Sequence, residues 1–144
     1  MTRRNANVDR VACPWLIRRF VDGDAEFLFV PPGTDPAAHP DAIPFDLPNV
    51  ELGHVDGRCS FESILVKHGL DADPALALLG RIVHGADIPP DLPSSPPEAH
   101  GLRAIAYGFA HLHGDDDQEK IRLETPLYDA LYAWCRERVR GAPA

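Results

Sequence analysis

The placement of fifteen prolines in this 144-residue chain constrains its regular structure more than any other feature. A proline lacks a backbone N–H and its ring clashes with the carbonyl four residues earlier, so it belongs in a first helical turn, at a strand end or in a loop. By that rule Pro14 sets the start of a first helix near Ala12 or Cys13, within a pattern from Val11 to Val21 whose apolar stripe is Val11, Trp15, Leu16 and Phe20. Asp9 and Arg10 then lie in the lead-in, free to aim at a site. Pro31-Pro32-Gly33 halts a strand over Glu26 to Val30. Asp73-Pro74 supplies the cap and first-turn proline of a helix running to about His84, with Leu76, Leu79, Ile82 and Val83 on its apolar face. Gly80, one turn before His84, leaves room for another segment to approach. Five prolines between Ile88 and Pro97 predict a stiff extended loop, and Thr125-Pro126 restarts or kinks a last helical segment that Asp115-Asp116-Asp117 opens and Leu127 to Arg140 continues.

The proline-poor stretches fill in the rest. Residues 31 to 48 allow one short strand around Ala42 to Phe45. Val50 to Val55 reads as a strand that delivers His54, Asp56-Gly57 as a turn, and Ser60 to His68 as a helix with Ser60 as N-cap and Gly69 as stop. Phe61, Ile64, Leu65 and His68 share one face of it. A further helix from about Glu98 to His113 has Leu102, Ile105, Phe109 and Leu112 as its core stripe, beside a small-residue strip of Gly101, Ala104 and Gly108. Tyr128, Tyr132 and Trp134 read as core. The expected fold is a compact, mainly helical α+β single domain over residues 1–144, with about five helical segments and a small antiparallel sheet of about three strands.

Composition narrows the function. A hydrophobic content of 44% suits one core, and the apolar runs are too short for a bilayer span or a signal peptide, which makes the cytoplasm the expected compartment and excludes a membrane role. Cys13, Cys59 and Cys135 form neither a disulfide framework nor a C-x-x-C thiolate site. A net charge of -8 argues against nucleic acid as a partner of this chain. Yet Arg3, Arg4, Arg10, Arg18 and Arg19 face a single acid, Asp9, in the first nineteen residues. Arg3 and Arg4 read as a solvated face, while Arg10 with Arg18 or Arg19 suits an oxyanion or a carboxylate.

The chemistry converges on histidines and carboxylates. His54 leaves its strand just before a tight turn, and Glu62 lies in the first turn of the next helix, where the helix dipole favours an ionised carboxylate. His84 and Asp87, three apart, share a helix face. Together His54, Glu62, His84 and Asp87 are expected to converge as ligands of a divalent metal ion, with Zn, Fe and Mn all open, and Asp9, Arg10, Arg18 and Cys59 are expected around them as anion-binding or supporting residues. His100, His111 and His113 lack matching carboxylates and read as surface. Asp115-Asp116-Asp117 reads as a solvated cap. Phosphate loops, a nucleophile elbow and H-E-x-x-H are absent from the sequence.

The segments Asn7-Val8-Asp9-Arg10-Val11, Trp15-Leu16-Ile17-Arg18-Arg19-Phe20, Gly57-Arg58-Cys59-Ser60-Phe61-Glu62, Ile82-Val83-His84 with Asp87, and Leu127 to Cys135 resemble the ChrB-type chromate-resistance domain. The resemblance covers most of the chain and departs at Asn7, where the family pattern has a histidine, and at Cys13-Pro14, where it has a serine-alanine pair before the tryptophan. It implies a bacterial, cytoplasmic, stand-alone domain of a stress response, tied to chromate or another small oxyanion as ligand, with a homo-oligomer compatible with that role. The leading reading is a metal-binding domain for resistance and sensing. Two alternatives stay open: a small metal-dependent hydrolase or redox enzyme with an open metal position, and a structural or interaction domain in which His54 and His84 are hydrogen-bonded core residues.

Overall fold

The structure, a computed structural model, describes residues 1–141. Among these residues the chain forms α1 (Val8–Phe20), α2 (Ser60–Lys67), α3 (Pro74–Asp87), α4 (Glu98–His113) and α5 (Asp117–Val139), with two short strands, β1 (Thr2–Arg3) and β2 (Phe29–Val30). Short 3-10 turns occupy Pro36–Ala38, Leu70–Ala72 and Pro89–Ser94.

The centre of the fold is α3. Asp73 Oδ1 caps it by accepting from Ala75 N at 2.8 Å, and Pro74 presets its first turn. Leu76, Leu79, Ile82 and Val83 are each at most 1% exposed, and the helix packs against α1, α2, α4 and α5. Burying such a side chain contributes about 1.5–3 kcal/mol, far more than the capping bond that positions it.

Helix α1 begins earlier than Pro14 predicts. Pro14 is buried inside the helix and leaves the Arg10 carbonyl without its usual donor. That cost of about 3 kcal/mol is offset by burial along the same face, where Val8, Val11, Ala12, Trp15 and Leu16 all enter the core. Asp9 and Arg10 consequently sit in the first turn of the helix and not in a lead-in.

The sheet is smaller than expected, and parallel instead of antiparallel, pairing Thr2 with Phe29 and Arg3 with Val30. The strands expected over Ala42 to Phe45 and Val50 to Val55 do not form. Pro44 and Pro48 remove ladder donors, and Asp46 and Asn49 adopt positive φ of 49° and 61°, so the chain coils. Gly53 permits the coil, because a Cβ there would lie 2.9 Å from the Leu47 carbonyl oxygen. His54 therefore arrives on a loop, followed by an isolated antiparallel bridge between Val55 and Arg58 across the Asp56-Gly57 turn.

Two helix faces also differ from expectation. On α4 the inward residues are Ala99, Leu102 and Ala106, while Ile105 is 46% and Leu112 77% exposed, and the strip of Gly101, Ala104 and Gly108 faces outward. Small alanines win the inward face because α4 lies close against α3, where Gly85 leaves room for Ala99. On α2, His68 is exposed beyond the helix end. Trp134 is 40% exposed, whereas Tyr128 is fully buried and Tyr132 half-buried. The cysteines Cys13, Cys59 and Cys135 are all buried free thiols.

Helix α5 runs through Pro126 without interruption. Its first turn is pinned to the start of the chain: Asp117 accepts from Asn5 N and Ala6 N at 3.0 and 2.7 Å, and Lys120 Nζ donates to the Ala6 and Gly114 carbonyls at 2.7 Å. Asp116 caps the helix, so only part of the Asp115-Asp116-Asp117 run is solvated. Deeper along the same face Glu124 is 1% exposed, and its Oε1 has no hydrogen-bond partner. Burial raises its carboxyl from 4.5 to about 7, with Lys120 acting in the opposite direction. The folded state thus binds a proton that the unfolded chain releases, and this stabilisation is full below pH 4.5 and lost as pH rises through about 7. Glu124→Gln should stabilise the protein by about 3 kcal/mol at pH 8 and change little near pH 4.5. Urea titrations at the two pH values check it, and equal gains at both would show that Glu124 stays ionised in the fold. No described helix is long and apolar enough to cross a membrane.

Candidate metal centre

The site is built where the N-termini of α1 and α2 meet the C-terminal half of α3. Asp9, 1% exposed, reaches from α1 to α2 and accepts from Ser60 N at 2.7 Å and Phe61 N at 2.9 Å. A carboxylate at a helix N-terminus satisfies otherwise orphaned N–H groups and complements the dipole. Cys59, not Ser60, is the N-cap: its Sγ accepts from Glu62 N, and Glu62 Oε1 accepts from Cys59 N at 3.1 Å. Ser60 instead donates its hydroxyl to Asp46 Oδ1 at 2.7 Å.

Around this framework His54 Nε2 lies 3.1 Å from Asp87 Oδ2, 3.4 Å from Asp46 Oδ1 and 3.5 Å from Asp9 Oδ2. Arg10 turns inward, with Nη1 3.5 Å from Asp46 Oδ2 and Nη2 donating to the Asn5 carbonyl at 3.2 Å. Three carboxylates thus face one imidazole and one guanidinium. Hydrogen bonds to Asp46 and Asp9 push His54 up to about 10. Burial, then the charges of Asp9 and Asp46, push Asp87 up to about 7. Burial also raises Asp9. For Asp46 burial acts upward, but its bonds from His54 and Ser60, with Arg10 nearby, hold it below the ordinary carboxylate value. The group opens onto a cleft of about 720 Å³ whose lining includes Arg3, Asn7, Arg10, Asp46, His54 and Asp87. Asn7 Oδ1 is buried there without a partner.

A second group centres on His84. Its Nδ1 is 2.5 Å from Glu62 Oε1 and its Nε2 is 2.6 Å from Asp91 Oδ2. A carboxylate lies at each ring nitrogen: burial opposes the charge, and the bonds to Asp91 and Glu62 outweigh it, leaving His84 above its ordinary value. Cys59 Sγ, a Glu62 oxygen and a His84 nitrogen lie within 4.8 Å of one another, as do ligand atoms of Asp9, Asp46 and His54.

The four residues expected to converge are therefore divided. His54 meets Asp87, and His84 meets Glu62, with no shared set of ligand atoms among the described residues. The division follows from the loop at 45–54, which brings His54 in beside Asp9 and Asp46 and not along a strand. Arg18 is not at the site. It lies in the last turn of α1, roughly 12 Å along the axis from Arg10 at 1.5 Å per residue. There it donates to the Ala25 carbonyl at 3.2 Å and stacks 4.7 Å over the Phe27 ring. Arg19 pairs with Asp129. Arg3, expected to be merely solvated, lines the cleft in its place. Sequence reasoning also missed Asp46 and Asp91. Asp46 sits in an irregular loop with no periodic signal, but Asp91 follows His84 by two helical turns, a spacing the intervening prolines obscured.

Over residues 1–135 the chain matches the profile of the family described as ChrB, C-terminal domain. It is 41% identical over 117 residues to Protein ChrB of Cupriavidus metallidurans, an alignment covering 81% of this chain and 34% of that protein. The chain thus spans about a third of that relative's length, 34%. No solved structure matches. With the profile running through both histidine groups and the identity extending over four-fifths of its length, 81%, the chain belongs to the ChrB C-terminal domain family.

Proposed function

We propose that this is a cytoplasmic divalent-cation-binding domain that serves resistance to, and sensing of, chromate or a related small oxyanion. The observation that carries the reading is the convergence of Asp9, Asp46 and Asp87 on His54 at the floor of a cleft. Ligand atoms of Asp9, Asp46 and His54 lie within 4.8 Å of one another, so these three would hold the ion, with Asp87 Oδ2 beside them 3.1 Å from His54 Nε2. The residues fit a cation on two counts. The carboxylates outnumber the cationic groups facing them, and the orphaned Asn7 Oδ1 adds a further neutral oxygen in the same cleft. An oxygen-rich donor set with one imidazole suits Mn or Fe better than a thiolate-preferring ion. When bound, the ion would supply positive charge at the cleft floor. Arg3 and Arg10 would then draw an oxyanion toward a protein of net charge -8 that otherwise repels it. The link to chromate rests on family membership and the arginine-lined cleft.

Manganese titration followed by electron paramagnetic resonance tests the reading. One tight Mn²⁺ per chain is expected, lost in His54→Ala and Asp46→Asn and kept in Arg18→Glu. Uptake that is absent in the native protein, or unchanged in both site variants, overturns the metal role. Chromate should then raise the melting temperature of the metal-loaded protein more than sulfate does, since a ligand at 100 times its dissociation constant stabilises by about 2.7 kcal/mol. Equal shifts with the two anions overturn the chromate role.

A further inference from the structure

We infer that Cys59, Glu62 and His84 form a second cation centre, distinct from the His54 group and suited to Zn²⁺ or another thiolate-accepting divalent ion, with Asp91 as the residue that orients its imidazole. The donor atoms are one sulfur, one carboxylate oxygen and one ring nitrogen, all within 4.8 Å of one another. Ligands of a tetrahedral zinc ion, at about 2.0–2.3 Å from the metal, are themselves roughly 3.5 Å apart, so small side-chain adjustments close the set. A mixed sulfur and nitrogen set selects Zn²⁺ over the harder ions that carboxylates alone favour.

The contacts of His84 point the same way. Metal-bound imidazoles commonly donate their second N–H to a carboxylate, which fixes tautomer and ring orientation. Asp91 Oδ2, 2.6 Å from Nε2, already occupies that place, leaving Nδ1 aimed at Glu62 on the Cys59 side. Cys59 Sγ accepts the Glu62 N–H at the N-terminus of α2; burial, then the charges of Asp9 and Glu62, hold its thiol well above the ordinary value, so it is an adjacent cation that would displace the proton. The ion would replace two protons, one from the Cys59 thiol and one from His84 Nδ1, and both leave to solvent. His84 and Glu62 are 17% and 23% exposed at their side chains, so the centre is shielded but reachable. Three protein ligands leave the fourth position for water.

The packing shows how the centre is assembled. A Cβ at Gly80 would lie 3.5 Å from Glu62 Cγ, so this glycine admits α2 to within contact of α3 one turn before His84. The other neighbour, Asp91, comes from the Pro89–Ser94 turn that leaves the same helix.

Cobalt is the probe. Titrating the full chain with Co²⁺ should give a sulfur-to-cobalt charge-transfer band in the near ultraviolet, abolished in Cys59→Ser and retained in Asp46→Asn. Cys59→Ser should still bind Mn²⁺ at the His54 group, so failure of one centre is distinguishable from failure of the other. Asp91→Ala removes a half-exposed carboxylate and tests the site without touching the Cys59 cap. It should weaken Co²⁺ binding about 10- to 100-fold while leaving the band in place. A native protein without the band, or a band that survives Cys59→Ser, overturns the centre. Unchanged Co²⁺ affinity in Asp91→Ala overturns the orienting role.

Discussion

Asp9→Ala should lose about 3 kcal/mol of unfolding free energy in urea. Asp9 accepts from two backbone N–H groups at the start of α2, and its removal leaves both donors buried without partners. Hydrogen bonds to a charged group are each worth about 1.5–3 kcal/mol, and an unsatisfied buried donor forfeits its hydration as well. Part of that loss is returned. Burial raises Asp9, which means the fold holds its charge at a cost, and its removal also relieves repulsion with Asp46 and Asp87. The net therefore falls below the sum of two charged hydrogen bonds. Asp129→Ala is the comparison. Asp129 accepts from Trp15 Nε1 at 2.8 Å and pairs with Arg19, but its side chain is 41% exposed, so water replaces the lost partners and about 1 kcal/mol is expected. If the two variants lose equal stability, Asp9 is not the anchor between α1 and α2.

The sequence disclosed the parts of this fold that depend on local chemistry. Asp73-Pro74 predicted the start of α3, Gly69 the stop of α2 at a φ of 66°, and the leucine and isoleucine spacing the buried face of α3. What stayed hidden depends on contacts between distant segments. Asp9 caps a helix 51 residues away, a role no local window contains. Pro14 was misleading because the intrinsic penalty of an interior proline is smaller than the burial of the face that carries it. On α4 four large residues looked like core, but beside Leu102 the inward positions are taken by the small Ala99 and Ala106, while Ile105 and Leu112 face out. The same distinction runs through the site. His54, Glu62, His84 and Asp87 stood out as residue types, and each does meet a partner of opposite character. Which of them meet each other was decided by the loop at 45–54, whose course is set by two positive-φ residues and the backbone approach at Gly53.

The two glycines that flank His84 on α3 should differ in their tolerance of alanine. At Gly85 a Cβ would lie 2.3 Å from Ser95 Oγ, 2.4 Å from Ser95 Cβ and 2.9 Å from Ala99 Cβ. Ser95 Oγ could rotate aside, but the Ser95 and Ala99 Cβ atoms are fixed to their backbones, so the backbone after the Pro89–Ser94 turn must shift. Overpacking of this kind costs about 1–3 kcal/mol, against at most about 1 kcal/mol gained from helix propensity. The shift also strains the bond from Ser95 Oγ to the Asp91 carbonyl, 2.8 Å long, which helps hold the turn carrying the partner of His84. Gly85→Ala should therefore destabilise by about 2 kcal/mol. At Gly80 the nearest atom is Leu65 Cδ1 at 3.1 Å, a methyl that can rotate aside, so Gly80→Ala should stay within about 1 kcal/mol of the native protein. A Gly85→Ala, Ser95→Gly double variant provides the internal check. Removing the Ser95 side chain should recover part of the stability lost to Gly85→Ala, even though Ser95→Gly alone weakens the turn. Additive losses in the cycle would mean that the strain at Gly85 is relieved elsewhere and that Ser95 does not gate the approach of this segment to α3.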